Sequence, residues 1–258
     1  MKKTIIRLFF LLWTVLIVGA SIWGPEVLSR YKDRSLLGKI YRQEVELAGE
    51  GYRYELSAVE KVYVLSQSLG SQMGDYAFIV NQKGLKQGEL QEELPSVKKA
   101  CESCDEGLRA LKAAGILPDS VQETDPAIYE AVLYSAIDVR EPRNYVAIWK
   151  LNLADNIRGL RKENRLMDVY MDADDGKIYE FYARTEWEWE NIDPDAIARS
   201  WCAYLELPEP ILWEDANPLT ETTPFFRKYI ISGAAEERTI MTVGFYEGIR
   251  EFFIKVSG

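Results

Sequence analysis

The 258 residues include no histidine at all. Histidine is the commonest general base and the commonest transition-metal ligand, so Ser-His and Cys-His catalysis are excluded outright. Cysteine is scarce, with three residues. Cys101 and Cys104 form a C-x-x-C pair, but no second pair or histidine is present to complete a tetrahedral zinc site. No cysteine closes the amino-terminal apolar run, so a lipoprotein anchor is not indicated. Positive charge is also short: 31 lysine and arginine residues face 41 aspartate and glutamate residues, leaving −10 overall. Such a balance repels phosphate backbones and argues against a nucleic-acid partner. No recognisable catalytic set stands anywhere in the chain.

What is present begins with "MKKTIIRLFFLLWTVLIVGASIWGPE". Lys2, Lys3 and Arg7 precede an apolar run from Leu8 to Trp23, and a span of about 20 residues crosses a hydrocarbon core. The run reaches that length from residue 5 if Arg7 snorkels to the interface. Two outcomes fit: a membrane anchor contacting the bilayer through residues 5–23, or a signal peptide cleaved after Ala20, with Val18 and Ala20 as the small residues of the site. Trp23, Gly24 and Pro25 end the run like an interfacial belt, and the anchor is the reading adopted. Arg30, Lys32, Arg34, Lys39 and Arg42 blur the charge rule. The short basic tail nonetheless favours a cytoplasmic N-terminus and an extracytoplasmic C-terminal domain, a single-pass membrane protein. Beyond the anchor the 28 remaining basic residues oppose all 41 acidic ones, giving −13.

With 47% hydrophobic and 12% aromatic residues, the rest of the chain can build one or two cores. "SLLGKIYRQEVELAGE" (35–50) reads as a juxtamembrane helix stopped by Gly49 and Gly51. Ser57 and Glu60 stand in capping-box spacing ahead of a second helix carrying Val59, Val62, Tyr63, Leu65 and Leu69. Gly74, Gly84 and Gly88, with the polar run 82–93, read as a connection. Ser96 opens a third helix whose Val97, Ala100, Cys104, Leu108 and Leu111 share one face, ended by Gly115 and Pro118. Period-two runs follow at 129–139, 145–153, 166–172 and 177–183, the last two joined through "DADDG". Asp193 as N-cap with Pro194 behind it starts a fourth helix, and three more strand candidates close the chain. Met167, Val169, Gly176 and Phe181 are echoed by Met241, Val243, Gly248 and Phe252, a weak internal repeat.

The expected fold class is therefore α+β: a signal-anchor helix over 1–24, a helical juxtamembrane region and linker over 25–93, and two helix-plus-antiparallel-sheet units over 94–190 and 191–258. The helix followed by antiparallel strands, with its hairpin "VYMDADDGKIYEF", resembles the PepSY unit and its cystatin-like relatives in exported Gram-positive bacterial proteins. Asp172, Gly176 and Ile178 match the Asp-ended strand, turn glycine and apolar return of that family. The resemblance implies a noncatalytic extracytoplasmic role, such as restraining or sensing peptidases and other envelope proteins.

Three local motifs carry chemical alternatives. Asp172, Asp174, Asp175 and Gly176 suggest a calcium loop, but they fall one residue short of the D-x-D-x-D-G spacing, and a tight hairpin is the reading adopted. In "TEWEWEN", strand alternation sets Trp187 and Trp189 on one face and Glu186, Glu188 and Glu190 on the other. That pattern supports an alternative function, an envelope carbohydrate-binding protein or glycoside-active enzyme. Cys101 and Cys104 fall inside a helix rather than at its start, which favours a surface disulfide or two reduced thiols over redox chemistry. Cys202 reads as a small core residue or a free thiol. No catalytic, cofactor-binding or metal residue is assigned, and no cofactor is expected. The leading function is a membrane-anchored noncatalytic protein-interaction or regulatory module of the cell envelope, with another envelope protein as partner.

Overall fold

The computed structural model describes residues 54–258 apart from 71–74, 87–94, 125–127, 155–164, 215 and 234–236. The anchor span 1–24 and the juxtamembrane helix 35–50 lie outside the described residues. Among those residues no helix is long and apolar enough to cross a membrane. Three α-helices are described: α1 (Ala58–Gly70), α2 (Pro95–Ala113) and α3 (Pro194–Tyr204). The strands are β1 (Tyr76–Lys86), β2 (Ile128–Asp138), β3 (Tyr145–Ala154), β4 (Arg165–Asp172), β5 (Ile178–Arg184), β6 (Ile211–Leu212), β7 (Phe226–Ser232), β8 (Arg238–Tyr246) and β9 (Glu251–Ser257).

All nine strands belong to one antiparallel sheet, in the order β1-β2-β3-β4-β5-β9-β8-β7-β6. This corrects the expected fold class of a helical juxtamembrane region followed by two helix-plus-sheet units. The last strand returns to the centre of the sheet, where β9 pairs with β5 through Phe181 opposite Ile254 and Ala183 opposite Phe252. The Phe181 and Phe252 rings lie 5.7 Å apart across that seam. Helix α1 reinforces the seam, packing on β1, β2 and β3 on one side and on β8 and β9 on the other. Residues 54–258 consequently fall in one compact unit.

The expected connection at 82–93 is also corrected, because β1 runs to Lys86. Among the described residues it is an edge strand, paired with β2 alone. Register shifts between Val80 and Gln82 and again between Gln82 and Leu85 absorb Asn81 and the Lys83–Gly84 pair. Bulges at an edge accommodate a polar, glycine-containing run that a central strand would reject.

Local signals are realised where they concern neighbours in sequence. The Ser57 amide donates to Glu60 Oε2 at 2.7 Å, and the Glu60 amide to Ser57 Oγ at 3.4 Å, closing the capping box on α1. Asp193 Oδ1 accepts from the Asp195 and Ala196 amides at 3.1 Å each, with Pro194 next to it. Val97, Ala100, Cys104, Leu108 and Leu111 of α2 are all buried. Each fully buried leucine contributes roughly 2 kcal/mol of transfer free energy to the core. Helix α2 approaches the β4–β5 hairpin closely because of Gly107, where a Cβ would stand 3.0 Å from the Gly176 carbonyl oxygen.

Candidate functional site

The β4–β5 hairpin turns as expected. Gly176 has φ +72°, where its lack of Cβ avoids strain, and its amide donates to the Asp172 carbonyl at 3.1 Å. Asp172 is fully buried. Its Oδ2 accepts from Lys61 Nζ of α1 at 2.8 Å and from the Tyr179 hydroxyl at 3.0 Å, and its Oδ1 accepts from the Asp174 amide at 2.7 Å. Lys61 Nζ also donates to Asp175 Oδ2 at 2.9 Å. Burial works to lower the Lys61 pKa, but the hydrogen bonds and charges of Asp172 and Asp175 outweigh it and raise the value. The ammonium thus bridges two carboxylates that the calcium reading would give to a metal. Among the described residues no group of three or more acidic or thiol side chains is arranged to hold an ion.

The segment 185–191 is not a strand. Strand β5 ends at Arg184, its last residue paired with β9, and residues 189–191 form a single 3-10 turn leading to the α3 cap. The side-chain partition of the motif nevertheless persists. Trp187 packs edge-to-face on Phe252 at 5.5 Å, and Trp189 lies 6.3 Å from Phe225. Glu186, Glu188 and Glu190 are exposed, and Glu188 pairs with Arg250 at 3.2 Å. The two indoles are therefore half-buried at the core margin rather than laid out as a platform for sugars.

Cys101, Cys104 and Cys202 are in the thiol form, with no disulfide between them. Cys104 lies on the buried face of α2, where desolvation, assisted by Asp105 and Cys101, pushes its pKa well up. Burial likewise pushes Cys202 up to about 12. Neither has the lowered pKa of a reactive thiolate.

Other polar groups brought together by the sheet were not visible in the sequence. Glu221 accepts from Lys228 at 2.9 Å and Lys255 at 2.6 Å, and all three side chains are largely buried. Burial pushes Glu221 up, but the two lysine hydrogen bonds prevail and hold the carboxyl below its ordinary range. The Tyr229 hydroxyl (2.6 Å) and Arg227 (2.7 Å) hold Asp195 below its range in the same way. Glu180 differs: desolvation raises it to about 7, although the Val256 amide donates to its Oε2 at 3.1 Å.

A cleft of about 630 Å³ opens where β5 meets β9, lined by Arg184, Thr185, Glu186, Arg250 and an apolar wall that includes Leu153 and Met167. Its charged residues come from chain segments far apart, so no local spacing could announce it. At one edge of the sheet, Ile79 and Val80 of β1 are 49% and 52% exposed. Comparison with protein-family models, curated proteins and solved structures finds no match to this chain.

Proposed function

We propose that the protein is a noncatalytic, membrane-anchored, extracytoplasmic interaction module of the cell envelope that recruits an extended segment of another envelope protein to the open edge of β1. The observation that carries this reading is that edge. Strand β1 spans eleven residues and, among the described residues, is paired on one side only. It exposes apolar side chains at Ile79 and Val80, which alternate to opposite faces. An open strand edge with exposed apolar side chains offers a template for another chain, and strand addition is a recurring mode of peptide recognition. The noncatalytic part is supported by the engagement of the buried and paired carboxylates: Asp172, Asp195 and Glu221 stand in ion pairs, and Glu180, raised to about 7, is only 6% exposed with its Oε2 taken by the Val256 amide. The hairpin's resemblance to the PepSY unit points toward the same kind of role.

The test uses the full chain in the producing cell. A photo-crosslinking residue replaces Ile79 or, as a control, exposed Arg109, and a reporter is fused after Gly258. Position 79 should yield one discrete heavier adduct in the membrane fraction, position 109 none, and Val80→Lys should abolish the adduct by charging the edge. The reporter should be active outside the cytoplasm. Absence of the adduct rejects edge recruitment; a cytoplasmic reporter rejects the orientation, and a reporter released to the medium rejects the anchor.

A further inference from the structure

The register of β1 on β2 fixes which backbone groups the open edge presents. In an antiparallel pair, alternate residues turn both backbone groups toward the partner strand, and the residues between them turn theirs away. The Val139 amide donates to the Asp75 carbonyl, so Asp75 faces β2, and with it Ala77 and Ile79, which stand opposite Ile137 and Ser135. The partner strand agrees, because Asp138, opposite Tyr76, donates its amide to the Asn144 carbonyl on the β3 side. The amides and carbonyls of Tyr76 and Phe78, and the amide of Val80, therefore point away from β2. The register shift after Val80 ends this alternation, with Asn81 Nδ2 turned back onto Ser135 Oγ.

The side chains of the same window select what can lie against it. The Phe78 ring stacks on Tyr134 of β2 at 4.4 Å with planes 10° apart, and the Tyr170 ring of β4 stands 6.4 Å away. A strand added at the edge sets the side chain opposite Phe78 at the end of this row of rings, and cross-strand aromatic pairs are favourable. Its flanking positions fall beside Ala77 and Ile79, where β-branched residues suit the pleat. At the Tyr76 end the surroundings are negative: burial, Tyr63 and the carboxylates of Asp138 and Glu237 together push the Tyr76 hydroxyl up. A second copy of this chain would bring the same carboxylates, no cation in its own Tyr76–Val80 run and a further net charge of −10, so self-pairing is opposed.

We propose, on the basis of edge recruitment, that the partner segment is a basic, aromatic-centred strand added along Tyr76–Val80. Its aromatic residue lies opposite Phe78, β-branched residues flank that ring on the other face, and a lysine or arginine two positions from it sits beside Asp138 and Glu237. The backbone groups of Tyr76, Phe78 and Val80 supply the main-chain bonds, and the side chains supply the selection.

The test is fluorescence anisotropy of a labelled, end-blocked heptapeptide, Thr-Lys-Val-Phe-Val-Lys-Thr, against the full chain in nonionic detergent. The peptide reads the same in both directions, so either strand polarity can bind. Replacing its Phe by Ala, or both Lys by Glu, should each weaken binding about tenfold or more. N-methylation of the Phe and Lys amides, or in a second peptide of the two Val amides, should abolish binding in one case only, because alternate amides face β1. Val80→Pro removes an outward amide and should abolish binding with a smaller fall in melting temperature than Ile79→Pro, whose amide belongs to the β1–β2 ladder. No binding, equal binding of the Ala or Glu peptides, equal effects of the two methylations, or tighter binding of Tyr-Ala-Phe-Ile-Val, the sequence of β1 itself and the mark of a second copy, would overturn the proposal. An adduct at position 79 in the cell without peptide binding keeps edge recruitment and rejects this partner chemistry; peptide binding without the adduct does the reverse.

Discussion

Replacing Lys61 by methionine keeps the aliphatic stem and removes the ammonium that joins α1 to the hairpin. Asp172 has no solvent exposure, so it cannot exchange the lost partner for bulk water. Breaking a buried ion pair from one side costs about 3–5 kcal/mol. Asp172 retains the Tyr179 hydroxyl and the Asp174 amide, which places Lys61→Met at the lower end, about 3 kcal/mol. The second bond, to Asp175, adds little because that side chain is 37% exposed. For a described unit of this size, 1 kcal/mol moves the melting temperature by about 2–4 °C, so a drop of roughly 6–12 °C is expected. Urea unfolding of the full chain, followed by tryptophan fluorescence, measures the free energy directly. Asp172→Asn leaves Lys61 with Asp175, and the double variant Lys61→Met/Asp172→Asn should be more stable than the sum of the single effects by about 1.5 kcal/mol or more. A loss below about 1 kcal/mol for Lys61→Met, or strictly additive single effects, refutes the account of this ion pair.

Gly176→Val should cost about 1–2 kcal/mol or more, because a β-branched residue is strained at φ +72° and its Cβ would stand 3.3 Å from that of Ser103. Asp174→Asn should change stability little, and melts with calcium and with chelator should coincide; a chelator-reversible rise in melting temperature would revive the calcium loop. Glu180 gives the pH dependence. Its folded pKa, about 7, lies above the ordinary 4.5, so its contribution is complete below about 4.5 and is lost as pH rises through 7. The interval corresponds to roughly 3 kcal/mol. The lowered carboxyls Asp195 and Glu221 act at the acid end, losing their contribution as pH falls below the ordinary carboxylate range. Glu180→Gln should accordingly be the more stable protein at pH 8 and lose that advantage toward pH 5, as read from urea midpoints; parallel profiles for parent and variant would contradict the buried-carboxyl explanation.

The sequence by itself determined what depends on neighbours along the chain. Ser57 with Glu60 and Asp193 with Pro194 mark helix starts because a free amide is satisfied within one turn. The α2 face was legible because 3.6-residue periodicity places Val97, Ala100, Cys104, Leu108 and Leu111 together, and the hairpin because Gly176 alone suits its turn. The 185–191 segment shows the limit of such reasoning. Its alternation correctly sorted indoles from carboxylates, yet a strand also needs a pairing neighbour, and pairing with β9 ends at Arg184. Only the tertiary structure decided that β9 returns beside β5, that β1 adds a strand where a linker was expected, and that Lys61 crosses to Asp172. The same holds for Arg250 and Thr185 at one cleft. Each of these joins residues distant in sequence. Antiparallel pairing is satisfied equally well by any strand with a compatible face, so period-two patterns specify that strands exist and leave their order to the burial of the whole sheet.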